Sequence, residues 1–382
     1  MRIGLDARYV YASHVHGIGR YSVELIRHLA PLASARGHEL IVFRRGGEGE
    51  PLVRDSAVRE VATELSPMSP AGFVRLGRTA RRERLDVFHA LFPALPVAPA
   101  PRTVVTAHDL QALRVRGFHG LRSWPLRLAS RTLYALAYRW SFGAADRIVA
   151  GSRWTRDDVA AAYRLPEDRF RVVYEGLSED FFAAGDRDAD AKRIAAAGLD
   201  PERRFLLHVG NTRPQKNVEG LLLVFHEMVL REPEGDRPLL VIAGVRDRFF
   251  AGVRDRTLAL GLGERVRFLT NVSEETLRAL YRRAALYVTA ARFEGFGFTP
   301  LEAMAARCPV AAAAAGALPE ILGDGYLAFD PDSPAQAACA ILDRLGDPGA
   351  LATLARLGHE RSRTFRWSET ARATLAAYEE LG

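Results

Sequence analysis

Short apolar runs alternate with amphipathic stretches along this 382-residue chain, and no other feature limits its fold as strongly. Runs that are apolar throughout and separated by helical stretches are typical of parallel strands covered on both faces. The runs form two series, with the polar stretch GDRDADAKR (185–193) between them. The strand candidates are RIGLD (2–6), ELIVF (39–43), DVFHA (86–90), TVVTA (103–107) and DRIVA (146–150), then FLLHV (205–209), LLVIA (239–243), RVRFL (265–269), LYVTA (286–290) and PVAAA (309–313).

Two such series predict an α/β protein with two doubly wound, Rossmann-like domains, and the length suits two cores. We place the domains at 1–182 and 183–365, with a final helix (366–382) that crosses back to the first domain. Ligands of such sheets bind beyond the carboxyl ends of the strands, often in a cleft that two domains face. Helices are expected over 18–30, 125–140, 217–231, 273–285 and 300–307, and from 334 onwards.

Composition narrows the class of protein. The two cysteines, Cys308 and Cys339, are too few for a disulfide framework or a thiolate metal cage, which favours a reducing compartment. The start of the chain has no apolar signal core, and no run is long enough to span a bilayer. We therefore expect a cytoplasmic protein.

The formal net charge is +7, and the excess of arginine lies in the first half. No acidic residue occurs from Leu110 to Ala145. A solvated arginine-rich surface explains this pattern, and so does a face that meets an anionic membrane or substrate. Nucleic acid is not expected, because no zinc-finger or RNA-binding signature accompanies the arginines. The two clusters are Arg114, Arg116, Arg122, Arg127, Arg131 and Arg139, and Arg75, Arg78, Arg81, Arg82 and Arg84.

Two loops of the first half carry candidate residues. Gly17 and Gly19, in GIGRY, open a helix and could bring main-chain N–H groups to an anion, although a plain turn fits as well. The dinucleotide fingerprint fails, because Ser22 stands where its third glycine should be. His108 and Asp109 follow the fourth strand, where a histidine serves either a site or the structure.

The loop GNTRPQKN, at the start of the second series, places Arg213 and Lys216 just before a helix. Cations at a helix amino terminus are electrostatically unfavourable, so the loop predicts an anionic ligand such as a diphosphate. An exposed basic turn is the alternative. No Walker A sequence is present.

The stretch FEGFGFTPLEAMA (293–305) contains two glutamates, Glu294 and Glu302, separated by seven residues. Pro300 suits a first helical turn, so Glu294 is expected in a loop and Glu302 early in the helix. The N–H groups of Gly297, Phe298 and Thr299 would then lie at the helix start. Metal ligation is not favoured, because no histidine or further carboxylate stands nearby. By itself, Glu302 reads as an acid that the helix dipole favours in the first turn.

Together and in order, five motifs resemble the retaining, nucleotide-sugar-dependent glycosyltransferases of family 4 (glycosyl transferases group 1). They are GIGRY, HDL, GNTRPQKN, EGFGFTPLEAMA and GALPEILGDGYLAFDPDSP. The resemblance runs over essentially the whole length and implies the two-domain GT-B fold. The chain departs from the commoner family pattern at Asn211, at Ala290-Ala291 and at Glu175-Gly176.

The resemblance also implies residue roles. Glu294 would bind hydroxyls of the donor sugar, and Glu302 the ribose hydroxyls. Arg213 and Lys216 would hold the diphosphate, helped by the N–H groups of Gly297, Phe298 and Thr299. Gly17 and Gly19 would approach the donor phosphates and the acceptor, and His108 the donor sugar. Apart from the resemblance, Asp109 stands directly after His108 in the sequence and is expected to orient it.

The implied activity is transfer of a hexose-type sugar, mannose or a related one, from a nucleoside diphosphate to an acceptor hydroxyl with retention. No metal or other cofactor is expected. The acceptor would be a small molecule, a glycan or a lipid-linked compound. The arginine-rich stretch 116–140 of the first domain, which also contains Trp and Leu, suits peripheral membrane contact, and it suits an ordinary helix pair with a basic outer face as well. Two alternatives stay open: a relative that uses the same donor site for epimerisation or non-glycosidic coupling, and a non-catalytic protein that binds sugar nucleotides.

Overall fold

The computed structural model describes residues 1–10, 17–46, 51–118, 120, 123–232 and 238–382. The chain divides into two compact units. The first comprises Met1–Arg114, Leu121–Gly176 and Arg366–Gly382, and the second comprises Val115–Gly120 and Leu177–Phe365. The main division thus follows Gly176, against the predicted boundary after residue 182, and the last helix belongs to the first unit. Arg122, one of the arginines noted in the sequence, lies outside the described residues.

The first unit has a parallel sheet with the strand order β3-β2-β1-β4-β5-β6-β7. Its strands are β1 (Arg2–Asp6), β2 (Glu39–Arg45), β3 (Val58–Thr63), β4 (Val87–Ala90), β5 (Arg102–Ala107), β6 (Arg147–Ala150) and β7 (Phe170–Val172). Its helices are α1 (Ile18–Ala35), α2 (Pro70–Arg82), α3 (Gln111–Arg114), α4 (Trp124–Ala144), α5 (Arg153–Tyr163) and, from the carboxyl end of the chain, α14 (Trp367–Glu379).

The second unit has a parallel sheet with the order β10-β9-β8-β11-β12-β13. Its strands are β8 (Phe205–Val209), β9 (Leu239–Gly244), β10 (Val266–Thr270), β11 (Leu286–Thr289), β12 (Val310–Ala313) and β13 (Leu327–Phe329). Its helices are α6 (Arg187–Ala196), α7 (Val218–Arg231), α8 (Phe250–Ala259), α9 (Glu274–Arg283), α10 (Phe298–Ala305), α11 (Leu318–Leu322), α12 (Pro334–Leu345) and α13 (Pro348–Ser362).

The prediction of two doubly wound α/β domains is confirmed. In each sheet the strand order reverses beside the first strand of its unit, β1 or β8. Such a reversal leaves a crevice outside the carboxyl ends of the strands, where doubly wound proteins bind their ligands. It lies between β1 and β4 in the first unit and between β8 and β11 in the second.

Three of the differences from the sequence prediction concern α6, β3 and α1. The stretch 185–193, expected to be a polar break, contains most of α6, because Asp186 caps the helix and accepts from the N–H groups of Asp188 and Ala189. β3 has charged and half-exposed residues, as an edge strand does, and so lacks an apolar run. α1 continues through Pro31 to Ala35 and buries Ala33, although the expected helix ended at residue 30.

Each unit has its own apolar core. In the first, Phe43, Phe88 and Phe142 are fully buried, and in the second Leu222, Phe225 and Ile341 are. α14 packs against α1, and its Tyr378 hydroxyl lies 2.6 Å from Nδ1 of His89 in β4. No helix in the described part of the chain combines the length and the apolar character needed to cross a membrane.

Candidate active site

The loops that follow β8 and β11 adjoin each other, because these two strands are neighbours at the reversal of the second sheet. Two hydrogen bonds to main-chain carbonyls connect these loops. The Arg292 N–H donates to the Gln215 carbonyl over 2.9 Å, and the side-chain amide of Asn217 donates to the Ala290 carbonyl over 3.0 Å. Asn217 has a left-handed backbone (φ 49°), which asparagine tolerates better than most residues. The crevice is therefore lined by two loops in a fixed relation.

Lys216 and Glu294 form an ion pair across this crevice, from the lysine Nζ to a glutamate oxygen. Their side chains are 16% and 15% exposed, so the pair is largely shielded but open on one side. A cation and a carboxylate at the carboxyl ends of adjacent parallel strands suit a ligand that has both an anionic group and hydroxyl donors. The structure thus brings together two predicted site residues that lie 78 positions apart in the sequence.

The main chain of Glu294 is held by the turn after β12. The Ala317 N–H donates to the Glu294 carbonyl over 2.9 Å. Gly316 has a positive φ of 60°, and a Cβ at this position would lie 2.5 Å from the Glu294 carbonyl oxygen. Gly316 is therefore required both for its own conformation and for the close approach of the two chains. In the sequence this glycine stands within the motif GALPEILGDGYLAFDPDSP, and nothing local to it indicates this role.

Helix α10 begins at Phe298, two residues before the predicted start, with Gly297 before it in a left-handed conformation (φ 103°). Its amino terminus therefore lies directly after the loop that carries Glu294, where the helix dipole favours negative charge. The hydroxyl of Thr299, in the first turn, lies 2.8 Å from that of the buried Tyr287. Gly297, Phe298 and Thr299 thus form the helix start, as the sequence suggested.

Glu302 lies in the second turn of α10, so its explanation as a first-turn acid was wrong. It is 2% exposed, and the Tyr281 hydroxyl donates to its Oε2 over 2.9 Å. A buried carboxylate is costly unless it is hydrogen-bonded, and this bond also fixes its orientation. The role of Tyr281 could not be predicted from the sequence, because α9 and α10 meet only in the folded chain.

Arg213 is exposed, and its guanidinium lies 5.4 Å from the centre of the Phe118 ring. The arrangement is a cation–π contact. Of the two cations predicted in this loop, the structure brings Lys216 to Glu294 and leaves Arg213 against an aromatic ring.

The first unit carries the remaining predicted residues. Gly17 precedes α1 with a positive φ of 55°, and Gly19 is buried in the first turn of that helix. His108 follows β5 at the carboxyl edge of the sheet, and its ring lies nearly perpendicular to that of Tyr21 of α1, with 4.9 Å between the ring centres. The residues between β1 and Gly17 belong only partly to the described chain, so the anion-binding interpretation of this loop stays a prediction.

Both ring nitrogens of His108 face oxygen acceptors. Nε2 donates to the Leu91 carbonyl over 2.9 Å, and Nδ1 lies 3.5 Å from a carboxylate oxygen of the buried Glu175. Burial acts to lower the pKa of His108, but the Glu175 carboxylate and the Leu91 carbonyl outweigh it and hold the pKa above its usual value. Asp109, predicted to orient His108, raises the pKa of this histidine less than Glu175 does. Glu175 had been noted only as a departure from the family pattern.

A second histidine, His208, lies in β8, the strand that precedes the loop of Lys216. It is fully buried in β8, and its Nδ1 donates to the Val288 carbonyl over 3.1 Å. Burial lowers the pKa of His208 to about 4, so the ring is neutral at physiological pH. Within the described ranges, no three His, Cys, Asp or Glu side chains come together as a metal-binding group.

Two family models match this chain. The model described as "Glycosyltransferase Family 4" matches residues 15–181, and the model "Glycosyl transferases group 1" matches residues 190–361. Together they leave only the two ends and a short stretch between the domains unmatched. The chain belongs to glycosyltransferase family 4.

Relatives of this family 4 chain differ in how much of their length they share with it. D-inositol 3-phosphate glycosyltransferase 2 of Catenulispora acidiphila is 33% identical over 246 residues, or 62% of this chain and 56% of the relative. The chain thus spans about half the length of the first curated relatives it matches. O-antigen chain mannosyltransferase B of Escherichia coli is 25% identical over 382 residues, or 96% of each chain.

Solved structures agree on the fold. The Anabaena protein HepE, determined in complex with UDP and glucose, superposes with a TM-score of 0.74 at 16% identity and covers both chains fully. At this identity the likeness concerns the fold alone, and it supports the GT-B architecture predicted for this family 4 chain.

Proposed function

We propose that the chain is a retaining glycosyltransferase that moves a hexose-type sugar from a nucleoside diphosphate to an acceptor hydroxyl. The observation that carries the proposal is the Lys216–Glu294 pair at the strand reversal of the second sheet, directly before the amino terminus of α10. A nucleotide sugar has the matching groups: an anionic diphosphate flanked by two polyhydroxylated rings.

In this proposal the diphosphate binds Lys216 and the start of α10, where the N–H groups of Gly297, Phe298 and Thr299 lie. Negative charge grows on the diphosphate as the glycosyl–phosphate bond breaks. A fixed cation and main-chain dipoles aimed at that charge stabilise the transition state more than the ground state. We propose that these groups make a divalent metal unnecessary.

The two glutamates are proposed to bind the rings on either side of the diphosphate. Glu294, released from Lys216 as the phosphates bind, would accept hydrogen bonds from hydroxyls of the donor sugar. Glu302, already oriented by Tyr281, would accept from the ribose. Arg213 would assist the diphosphate, but its present contact with Phe118 predicts a smaller contribution than that of Lys216.

Three roles rest on the family resemblance: that of His108 at the donor sugar and those of Gly17 and Gly19 at the phosphates and acceptor. Retention by front-face attack, in which the leaving phosphate takes the acceptor proton, has the same basis. The similarity to an O-antigen chain mannosyltransferase over 96% of the chain supports mannose or a related sugar. Both cysteines are free, which agrees with the proposed cytoplasmic location.

The test is transfer from a panel of nucleotide sugars, including GDP-mannose and UDP-glucose, to sugars, glycosides and lipid-linked acceptors, with EDTA present. The chain has only two lysines, which provides a matched pair of variants. Lys216→Ala should lower kcat/KM by about 10²–10³, the usual loss for one transition-state donor. Lys192→Ala, at an exposed position of α6, should leave kcat/KM unchanged.

The products separate the proposal from its alternatives. A glycoside with the anomeric configuration of the donor, assigned by NMR, supports retaining transfer. An epimerised sugar nucleotide without a glycoside would identify the epimerase-like alternative, and binding without any turnover a non-catalytic protein. Activity lost on addition of EDTA and restored by a divalent metal would contradict metal independence.

A further inference from the structure

Helix α4 of the first unit exposes an unusual number of large apolar side chains. Leu126, Leu128 and Leu136 are 58%, 57% and 61% exposed, and Trp124 is 68% exposed. The helix packs on its sheet through other positions, among them Tyr138 and Phe142. The outward side of a surface helix is normally polar, so an exposed set of this size calls for a ligand or partner.

The apolar positions recur at helical spacing on the outward side. Leu133, Leu136 and Trp140 follow one another at intervals of three and four residues, and Leu126 lies two turns before Leu133. An apolar stripe therefore runs along α4 on the side away from the sheet.

The loop 95–98 joins this stripe to the arginines of α2. The Trp140 indole N–H donates to the Leu95 carbonyl over 2.9 Å, and Arg81 donates to the Ala98 carbonyl over 2.8 Å. The Val97 N–H donates to the carbonyl of Phe73, also in α2, over 2.9 Å. The carboxyl-terminal part of α4 and helix α2 thus flank one loop, and the exposed arginines of these two helices lie on either side of it. We define the basic-apolar face as the exposed side chains of α2, of the loop 95–98 and of α4.

The charge of this face is uncompensated. Arg127, Arg131 and Arg139 of α4 are exposed and form no ion pair with any described residue, and the same holds for Arg75 and Arg78 of α2. No acidic residue occurs in the sequence from Leu110 to Ala145 that could neutralise them locally.

We propose that the basic-apolar face binds the surface of an anionic phospholipid bilayer, with α4 lying in the interface. Leucine and tryptophan side chains would enter the headgroup–acyl boundary, while the arginines remain among the lipid phosphates. Each arginine near an anionic surface adds to the attraction, which ionic screening weakens. The inference concerns a surface of the first unit and does not depend on the proposed transferase chemistry.

The same residues argue against two other binding partners of this face, a second copy of the chain and a nucleic acid. A second copy of the chain would bring arginines against arginines in a symmetric contact, with no carboxylate of α4 to offset them. Nucleic acid would neutralise the arginines but leave the leucines of α4 in water. Only a surface that is anionic at its boundary and apolar beneath satisfies both sets of side chains.

The test is flotation with vesicles of phosphatidylcholine alone and of phosphatidylcholine with phosphatidylglycerol, each at low salt and at about 0.5 M salt. The higher salt concentration shortens the Debye length on the order of threefold and so screens the attraction between the arginines and the lipid phosphates. We expect the chain to float with the anionic vesicles only, and salt to reduce the bound fraction. Emission from Trp124 and Trp140 should shift to the blue on binding, because both indoles are exposed in the free chain.

The variants test the apolar part of the face. Replacing Leu126, Leu128 and Leu136 together by glutamine should lower the vesicle partition coefficient at least about tenfold. Removing roughly two methylene groups from the apolar layer of the bilayer is enough for an effect of this size. The matched control replaces Leu230 and Leu258, which are 64% and 63% exposed in the second unit, and should bind as the parent does. Because all five side chains are exposed, we expect unchanged circular dichroism and Tm.

Three results would overturn the proposal. One is the absence of binding to anionic vesicles. Another is vesicle binding that the triple variant retains in full. The arginines alone would then account for the binding, as they would for binding of the chain to homopolymer RNA. The third is a dimer that the triple variant dissociates, together with no vesicle binding, which would assign the face to a second copy.

Discussion

Gly316 offers a way to displace Glu294 without altering any residue proposed to touch the substrate. Its backbone is left-handed, with φ 60°, and the next residue, Ala317, donates its N–H to the Glu294 carbonyl. In Gly316→Ala, the new methyl group would lie 2.5 Å from that carbonyl oxygen and 2.8 Å from the Glu294 nitrogen. Both contacted atoms are main-chain atoms, so the Glu294 loop itself must move.

The cost has two parts. An L-residue in the left-handed region costs about 1–2 kcal/mol, and overpacking against a fixed neighbour costs about 1–3 kcal/mol. We therefore expect Gly316→Ala to lower the free energy of unfolding by about 2–5 kcal/mol, less whatever the loop recovers by shifting. A shift of about 1 Å in a positioning residue lowers the rate about 100-fold, and we expect a loss of that order in kcat/KM.

The assay measures kcat/KM for transfer together with urea unfolding for each variant. Gly252→Ala is the matched control, because this glycine lies in α8 with open space around its position. Alanine there should raise stability by up to about 1 kcal/mol and leave the kinetics unchanged. Parental kcat/KM in Gly316→Ala would refute the argument that this turn positions Glu294.

Three further predictions follow from buried side chains. Tyr281→Phe removes the donor to Glu302 and should raise the KM for the nucleotide sugar up to about tenfold at constant kcat, whereas a loss in kcat alone would contradict ribose binding. The pKa of His208 is lowered to about 4 in the folded chain, so on acidification the unfolded chain binds this proton first. The free energy of unfolding should therefore fall as the pH drops from about 6.5 towards 4, by about 1.4 kcal/mol per pH unit. Urea unfolding of His208→Gln should show a weaker dependence of stability on pH over this range. Glu175→Gln should lower the pKa of His108, which the carboxylate now raises; NMR titration of the ring reports this shift, and an unchanged titration would remove Glu175 as its cause.

The sequence was sufficient for the elements whose pattern is local. Apolar strands such as β8 and β5 were located to within a residue, because a strand covered on both faces is predominantly apolar along its whole length. Lys216 and Glu294 could be singled out because each follows such a strand, and the topology then makes their loops neighbours. Their direct ion pair needed the order of the strands, which no local pattern contains.

Other features depend on contacts between distant segments. Glu175 and His108 are 67 positions apart and meet because β5, β6 and β7 are adjacent in the first sheet. Helix α6 was read as a polar break, although Arg282 of α9 binds the buried Asp190 through two hydrogen bonds of 2.6 and 2.7 Å. A carboxylate buried by a distant arginine looks like solvent-exposed charge in the sequence.

The central claim is that the crevice at Lys216 and Glu294 holds the diphosphate of a nucleotide sugar. Thermal unfolding with UDP, GDP and ADP, each with EDTA present, tests this claim most directly. At about 100 times its Kd, a nucleotide stabilises the fold by about 2.7 kcal/mol. This corresponds to about 3 °C in Tm if the whole chain unfolds in one transition, and to about 6 °C if the second unit unfolds by itself. We predict such a shift for at least one nucleotide with the parent chain and with Lys192→Ala, and little or none with Lys216→Ala. No shift with any nucleotide, or an equal shift in Lys216→Ala, would contradict the account.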